Sequence, residues 1–244
     1  MRLFIGPFLA FVPALAVAQV QPHFGVIAGL PFTDTLQSSS SFSETGAITD
    51  LTRYNSETKR IIVGPEFRLD FAAGFGFALD AIYQRVDYDF LNTSSPPLDR
   101  TFQALAANRW QFPLLIEYRR KLGKIAGFAG AGPSIQHYDA GSGVSSSYSA
   151  AVGSSPPSSS TNSVTGVPST SAGITVAVGV NIPVFRLHLR PEFRYSHWFS
   201  PAAVPQAVGF VFTATALPEF LTLAPAPSLT AKANEASLLL GLTF

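Results

Sequence analysis

Residues 186–195 alternate strictly between ionisable and apolar side chains. The segment reads R-L-H-L-R-P-E-F-R-Y, so every second residue from Arg186 to Arg194 is ionisable and each residue between them is apolar. Successive side chains of a β-strand point to opposite faces, and a period of two therefore predicts a strand. One face of this strand has to meet an apolar environment, while the other has to accommodate a row of charges.

The complete chain is apolar but contains no long apolar run. Its 244 residues are 47% hydrophobic and 13% charged, and the mean hydropathy is +0.26. After the N-terminal region, no uninterrupted apolar stretch reaches the roughly 18 residues that a transmembrane helix requires, so a helical membrane protein is not expected. The chain has no cysteine, which excludes disulfides, thiolate metal sites and a lipid-modified cysteine.

The first 18 residues predict an export signal. They carry one charge, Arg2, followed by a short apolar stretch and the sequence A-V-A at 16–18, which is typical of a signal-peptide cleavage site. We expect cleavage after Ala18 and a single domain over 19–244; the alternative is a retained membrane anchor. Without Arg2, 15 basic residues balance 15 acidic ones, and this balance gives no reason to expect a nucleic-acid partner.

Seven further segments alternate in the same way as residues 186–195. In chain order, the eight predicted strands begin near residues 23, 60, 77, 109, 125, 174, 186 and 235. Long connections are predicted at 33–58, 87–107, 139–171 and 199–231, the last of them apolar, and short turns at 72–74, 120–124 and 182–185. The third long connection is rich in serine, a composition that cannot bury a core, and we expect it to be a mobile loop.

Eight strands whose connections alternate between long and short predict an all-β fold. The fold is an antiparallel up-and-down transmembrane β-barrel with short periplasmic turns and long outer loops. In such a barrel, lipid covers the apolar faces of the strands and the lumen receives the charged ones. The alternative is a soluble β-sandwich, but its outer faces would expose Leu, Ile, Val and Phe to water. The predicted location is therefore the bacterial outer membrane.

The polar faces of the predicted strands form a ladder of ionisable residues that points into the lumen. Its members are Arg60, Glu66, Arg68, Asp70, Asp80, Arg109, Glu117, Arg119, Arg190, Glu192, Arg194 and Glu235. Eight strands leave an interior that side chains just fill, and buried charges need partners, so we expect ion pairs; acid–base catalysis is the alternative. The sequence P-E-F-R occurs at 65–68 and again at 191–194, which places a Glu and an Arg on one face in both copies.

No residue pattern indicates a metal or a cofactor. The four histidines, at 23, 137, 188 and 197, lack the spacing of metal ligands. The glycines at 127, 130 and 132 lie within a predicted strand with no helix after them, unlike the glycines of a phosphate-binding loop. We therefore expect neither a metal nor a cofactor.

Four stretches carry a resemblance to a known family. They are F-G-V-I-A-G-L-P-F at 24–32, F-A-G-A-G-P-S at 128–134, L-R-P-E-F-R-Y-S-H-W at 189–198 and L-L-L-G-L-T-F at 238–244. In these stretches the chain resembles the small eight-stranded outer-membrane β-barrel proteins, loosely like the transmembrane domain of outer-membrane protein A. The resemblance covers the strands and not the loops, and it implies outer-membrane lipid as the surroundings.

The same resemblance suggests how the barrel is assembled. Leu238, Leu240, Leu242 and Phe244 look like the assembly signal that the barrel-insertion machinery recognises in this family. Since the sequence ends at the last predicted strand, we expect no peptidoglycan-binding domain.

The sequence predicts a non-enzymatic outer-membrane barrel with a structural or loop-mediated interaction role. A small-solute pore is the first alternative. A lipid A-modifying enzyme is the second, because His197 near Ser200 resembles the site of lipid A deacylases, although that family has its serine where this chain has Phe199. A surface partner is expected at 199–231, whose apolar stretch 208–217 we predict to form a hairpin above the membrane.

Overall fold

The computed structural model describes residues 20–45, 48–95, 98–150, 156–200 and 231–244. The strands in these ranges are β1 (Gln21–Pro31), β2 (Ser39–Thr45), β3 (Ile48–Asp70), β4 (Phe75–Asp80), β5 (Ile82–Ser95), β6 (Asp99–Leu122), β7 (Ile125–Tyr138), β8 (Ser142–Ser149), β9 (Ser158–Thr165), β10 (Ser169–Val184), β11 (Leu187–Trp198) and β12 (Asn234–Thr243). No helix in the described residues has the length and apolar character needed to cross a bilayer.

These strands close into a ring of eight. Antiparallel pairing runs in the order β3, β1, β12, β11, β10, β7, β6, and the consecutive strands β4 and β5 join β6 back to β3. The ring closes where β1 pairs with β12, with Ala28 opposite Leu240. β4 and β5 act as one strand interrupted at Ala81, whose N–H donates a 3.1 Å hydrogen bond to the carbonyl of Pro65. The predicted all-β, antiparallel, eight-stranded barrel is confirmed.

The lipid-facing and lumen-facing sides follow the predicted alternation. Along β6, Trp110, Phe112, Leu114, Ile116 and Tyr118 are between 37% and 57% exposed. The residues between them face the lumen and are buried or half-buried. Aromatic rings therefore bracket an aliphatic band on this strand, as expected where a barrel crosses the two interfaces of a membrane.

The three short connections lie at one end of the barrel, which we call the turn end. They consist of the 3-10 turn Ala72–Gly74, the turn at 123–124 and the turn at 185–186. In this family of folds the short turns are periplasmic. At the opposite end the strands continue far beyond the apolar band.

The prediction of long loops was wrong for three of the four connections. β2 and the first half of β3 occupy 33–58, the ends of β5 and β6 occupy most of 87–107, and β8 and β9 lie within 139–171. Serine and threonine dominate both faces of β2, β8 and β9, so the hydropathy alternation there is faint. The burial alternation is nevertheless present, because Gln103, Leu105 and Ala107 are buried between more exposed neighbours.

These strands form a sheet above the apolar band, which we call the outer extension. It comprises β2, residues 48–58 of β3, 86–95 of β5, 99–107 of β6, β8 and β9, and these segments pair in that order. A hydrophobic cluster packs on its inner side above the lumen. The cluster contains Leu36, Tyr54, Val86, Tyr88, Leu105, Tyr138 and Ala231.

Three predictions fall outside the described residues. They are the export signal at 1–18, the hairpin at 208–217 and the side-chain position of Arg60.

Candidate functional site

Seven ionisable side chains meet in the middle of the lumen and form what we call the central network. They are Glu66 and Arg68 of β3, Asp80 of β4, Glu117 of β6, and Arg190, Glu192 and Arg194 of β11. Each of these residues is at most 3% exposed. The alternation of the strands explains their orientation, since residues two apart share a face.

Arg190 lies at the centre of this network. It donates a hydrogen bond of 3.3 Å from Nη1 to Oε2 of Glu117, and its Nη2 is 3.0 Å from Oε2 of Glu192. Its Nη1 is also 3.8 Å from Oε1 of Glu66. One cation is thus shared by carboxylates from three strands, and it links opposite walls of the barrel.

The two copies of P-E-F-R have the same local geometry. In both, the arginine Nε donates a hydrogen bond of 2.7 Å to the glutamate two residues before it, Arg68 to Glu66 and Arg194 to Glu192. Arg194 also donates a 2.8 Å hydrogen bond across the lumen to Asp80. The repeated sequence therefore provides the same pair on two walls, and the pairs are joined by contacts between strands.

Charges in the central network nearly balance. Three arginines meet four carboxylates. A buried charge is costly unless it is paired and hydrogen-bonded, so removal of any one member takes ion-pair contacts from the buried groups that remain. The network consequently links opposite strands across the lumen by ion pairs, and it occupies the space that a pore would need.

Phe128 of β7 provides a flat surface for the central arginines. The guanidinium carbon of Arg190 lies 3.5 Å from the centroid of this ring, and that of Arg68 lies 5.7 Å from it. Gly179 of β10 makes room for the ring, because a Cβ atom there would lie 2.6 Å from Phe128 Cζ. The small inward residues of β10 thus allow a bulky ring and two arginines to fit within one layer.

A second cluster closes the lumen near the outer extension. Arg109 forms an ion pair with Glu235 and donates 3.0 Å hydrogen bonds to the side-chain carbonyls of Gln136 and Gln84. Its guanidinium carbon lies 5.8 Å from the centroid of Trp198. Arg109 of β6 therefore has polar and aromatic partners from four other strands across the width of the barrel.

A third group lies at the turn end. Arg119 forms a bidentate ion pair with Asp70, and its Nε is 3.6 Å from Oε2 of Glu117 in the central network. His23 Nε2 is 3.5 Å from Oδ2 of Asp70, an oxygen that also accepts from Arg119. These contacts connect the central network to the periplasmic mouth.

The structure therefore brings the eleven described ladder residues together in three layers of the lumen. The predicted assembly-signal residues lie on the lipid-facing side, with Leu238 48%, Leu240 48%, Leu242 37% and Phe244 70% exposed. Sequence reasoning missed the neutral members of the lumen, Thr35, Gln84, Phe128, Gln136 and Ser171. For Gln84, Phe128, Gln136 and Ser171, the inward phase in a strand was the only available signal, since none of them carries a charge. Thr35 lies between β1 and β2 and had no such signal.

The outer surface of the extension has a shallow groove of about 390 Å³. Phe102 and Tyr148 line it and are both 44% exposed, next to Arg100 and the hydroxyls of Ser146 and Thr161. The groove faces away from the lumen. Aromatic faces beside hydroxyls and a cation are a surface on which a polar partner can pack.

His197 has no carboxylate partner among the described residues. Its Nδ1 is 2.8 Å from Oδ1 of Asn234, the atom to which the hydroxyl of Tyr195 also donates a 2.7 Å hydrogen bond. Its ring packs edge-on against Phe199 at 6.0 Å. Nor do the described residues contain a group of three or more His, Cys, Asp or Glu that could hold a metal ion.

The match to a protein-family model agrees with this architecture. Residues 17–202 match a family described as "Outer membrane protein beta-barrel domain". Among solved structures, the chain is similar to the crystal structure of Neisserial surface protein A, with 15% identity and a TM-score of 0.32 over 92% of this chain and 96% of that one. No curated protein matches the chain.

Proposed function

Because the chain belongs to the outer membrane protein beta-barrel domain family, we propose that it is a non-enzymatic barrel of the outer membrane that acts through its outer extension. The observation that carries this proposal is the sheet of paired strands above the lipid band. A paired sheet with its own apolar core presents surface side chains in fixed positions, as a binding surface requires.

The exposed side chains of the extension support an interaction role. Phe42 is 66% exposed on β2, while Phe102 and Tyr148 flank the groove on β6 and β8. Large apolar side chains exposed together above the membrane favour contact with another molecule. A barrel with a purely structural role would not need large apolar side chains exposed above the membrane.

The lumen argues against the alternative of a small-solute pore. The central network and the Arg109 cluster lie one above the other and contain buried, mutually paired side chains. A solute would have to separate several ion pairs to pass. We propose that the resting barrel does not conduct.

The second alternative, a lipid A-modifying enzyme, lacks an activated nucleophile at the expected place. His197 bonds with Asn234, and Phe199 stands where the deacylase pattern has its serine. We therefore propose that the protein has no enzymatic activity. Mass spectrometry of lipid A from cells with and without the protein should give identical profiles, and a protein-dependent mass change would contradict this.

The expected processing and assembly partners belong to this proposal as well. We propose that residues 1–18 direct export and are removed, which N-terminal sequencing of the protein from membranes would test. The apolar face of Leu238, Leu240, Leu242 and Phe244 would engage the barrel-insertion machinery. A surface partner at 199–231 remains a proposal too, and deletion of 206–228 should abolish surface association while leaving the folded barrel intact.

The role of the extension can be tested by complementation of a strain that lacks the protein. In one variant, residues 37–57, 88–105 and 141–166 are each replaced by a short Gly-Ser turn, which removes most of the extension and keeps the barrel. We expect this variant to insert, with different gel mobilities before and after boiling, but to leave the deletion phenotype uncorrected. A second variant, Phe102→Ser with Tyr148→Ser, keeps the sheet and removes only the aromatic surface. It should also leave the deletion phenotype uncorrected. Full complementation by both variants would place the role in the barrel itself.

A further inference from the structure

The two ends of the barrel differ in side-chain charge. At the turn end, beyond the central network, Asp70 is the one acidic side chain among the described residues. Five basic side chains lie at the same end: Arg119, Arg120, Lys121, Lys124 and Arg186. At the opposite end, acidic side chains outnumber basic ones. Those in and beside the described extension are Asp34, Glu44, Asp50, Asp87, Asp89, Asp99 and Asp139, against Arg53, Arg85, Arg100 and Lys232.

Four of the five basic side chains at the turn end have no acidic partner among the described residues. Arg119 is neutralised by Asp70, whereas Arg120, Lys121, Lys124 and Arg186 are exposed. We call these four residues the basic rim. A net positive rim of this size attracts anions, and the attraction is strongest where water is partly excluded.

Apolar side chains place the basic rim at the level of lipid headgroups. Arg120 follows the lipid-facing Tyr118 in the same phase of β6, and the next residue of that phase, Leu122, is 57% exposed. An arginine between apolar neighbours can lay its aliphatic stem on the lipid and extend its charge to the interface.

The turn at 185–186 adds a second, independent feature. Phe185 has a positive φ of 58°, which a bulky residue rarely adopts, and its side chain is fully exposed. This backbone geometry holds an aromatic ring outward directly before Arg186. Aromatic rings of this kind mark membrane interfaces, so the turn pairs an interfacial anchor with a cation.

A recess of about 550 Å³ lies between the turns. The ion pair of Arg119 with Asp70 lies on its wall, and Lys121, Lys124, His188 and the amide side chain of Asn181 contribute further polar groups. These groups can donate hydrogen bonds to phosphate oxygens, and a recess of this volume is in the range of small-ligand sites.

We propose that the basic rim and this recess bind the phosphate headgroups of anionic phospholipids in the inner leaflet of the outer membrane. Phosphatidylglycerol has one net negative charge, whereas phosphatidylethanolamine has none. The rim should therefore select the anionic lipid from a mixture and hold the barrel at a fixed depth. This site is independent of whatever the outer extension binds.

Native mass spectrometry of the full folded protein tests this proposal. The protein is released from nanodiscs that contain equal amounts of phosphatidylglycerol and phosphatidylethanolamine, and the retained lipids are counted. We expect a preference for phosphatidylglycerol that falls by roughly fivefold for each rim residue changed to Gln, and that weakens with added salt. The quadruple variant Arg120→Gln, Lys121→Gln, Lys124→Gln, Arg186→Gln should lose the preference.

The matched control removes charges from the other end, as Arg53→Gln, Arg85→Gln and Arg100→Gln, and should keep the preference. Gel mobility before and after boiling verifies that every variant is folded. Equal retention of both lipids by the unchanged protein, or equal loss in the control, would overturn the proposal. A second result would also overturn it. If the protein showed no lipid preference but bound purified peptidoglycan sacculi through the rim residues, the rim would face the cell wall.

Discussion

The guanidinium of Arg190 packs against the ring of Phe128, with its central carbon 3.5 Å from the ring centroid. This contact joins β11 to β7 through the interior of the barrel, although the two strands are separated in the sheet by β10. A cation over an aromatic face contributes up to about 2 kcal/mol where water is excluded.

Loss of the aromatic face should therefore destabilise the barrel. We expect Phe128→Leu to lower the free energy of unfolding by about 1–3 kcal/mol, because it removes both the cation–π contact and part of the core volume. Urea titration of the detergent-solubilised protein measures this. The matched variant Phe112→Leu on the lipid-facing side should change it little, and equal losses would contradict the assigned role of Phe128.

Single members of the central network should be costly to remove. Glu192→Ala or Arg194→Ala should each lower the free energy of unfolding by about 3–5 kcal/mol, since Arg194→Ala leaves Asp80 buried without a cation and Glu192→Ala removes one carboxylate from both Arg190 and Arg194. Phe193→Ala between them is a natural control, because that side chain is 43% exposed on the lipid face. Small, equal effects at Glu192 and Arg194 would indicate a wet lumen and would support the pore.

Gly179 should tolerate no side chain. A Cβ atom at this position would lie 2.4 Å from the carbonyl oxygen of Pro191 and 2.6 Å from Phe128 Cζ, so Gly179→Ala should lower the free energy of unfolding by about 1–3 kcal/mol. At Gly127 the nearest atom would be Leu122 Cδ1, at 3.4 Å. Gly127→Ala should therefore be nearly neutral in the same titration, and a reversed order would contradict the packing described.

Asp139 should make stability depend on pH at the base of the outer extension. Partial burial acts to raise the pKa of Asp139, but hydrogen bonds from the backbone N–H groups of Asn108 and Gly141 outweigh it and hold the pKa below its usual range. The carboxylate therefore stabilises the fold above about pH 4, its unfolded value, and this contribution is lost as the pH falls through the lower folded pKa.

The matching experiment compares the unchanged protein with Asp139→Asn from pH 7 to pH 2. We expect the unchanged protein to be more stable at pH 7, and the difference in unfolding free energy to shrink as Asp139 becomes protonated. A difference that grew toward low pH would show that burial, and not hydrogen bonding, dominates at this carboxylate.

Much of the barrel could be predicted from the sequence because period-two alternation survives wherever one face meets lipid. The phase of residues 186–195 correctly orients Arg190, Glu192 and Arg194. The same criterion failed for β8 and β9, where Ser and Thr occupy both faces. There, backbone pairing between strands produces the structure, and side-chain hydropathy carries almost no signal.

The partners within the lumen could not be predicted from phase alone. Phase gives the direction of a side chain but not its height, which depends on how each strand is staggered against the next. Arg190 and Glu117 are 73 residues apart in the chain, and their contact depends on that stagger across four neighbouring strands. Pairs within one strand, such as Glu66 and Arg68, follow directly from their spacing.

The central claim is that buried ion pairs fill the lumen, and conductance across a planar bilayer tests it most directly. Purified folded protein is added at moderate salt, with a wide trimeric porin as a positive control for insertion. We predict no discrete current steps from the unchanged protein at moderate voltage, since the central network and the Arg109 cluster occlude the lumen in series. Stable steps that scale with salt concentration, from protein shown to be folded by its gel mobility, would contradict a filled lumen and identify the barrel as a pore.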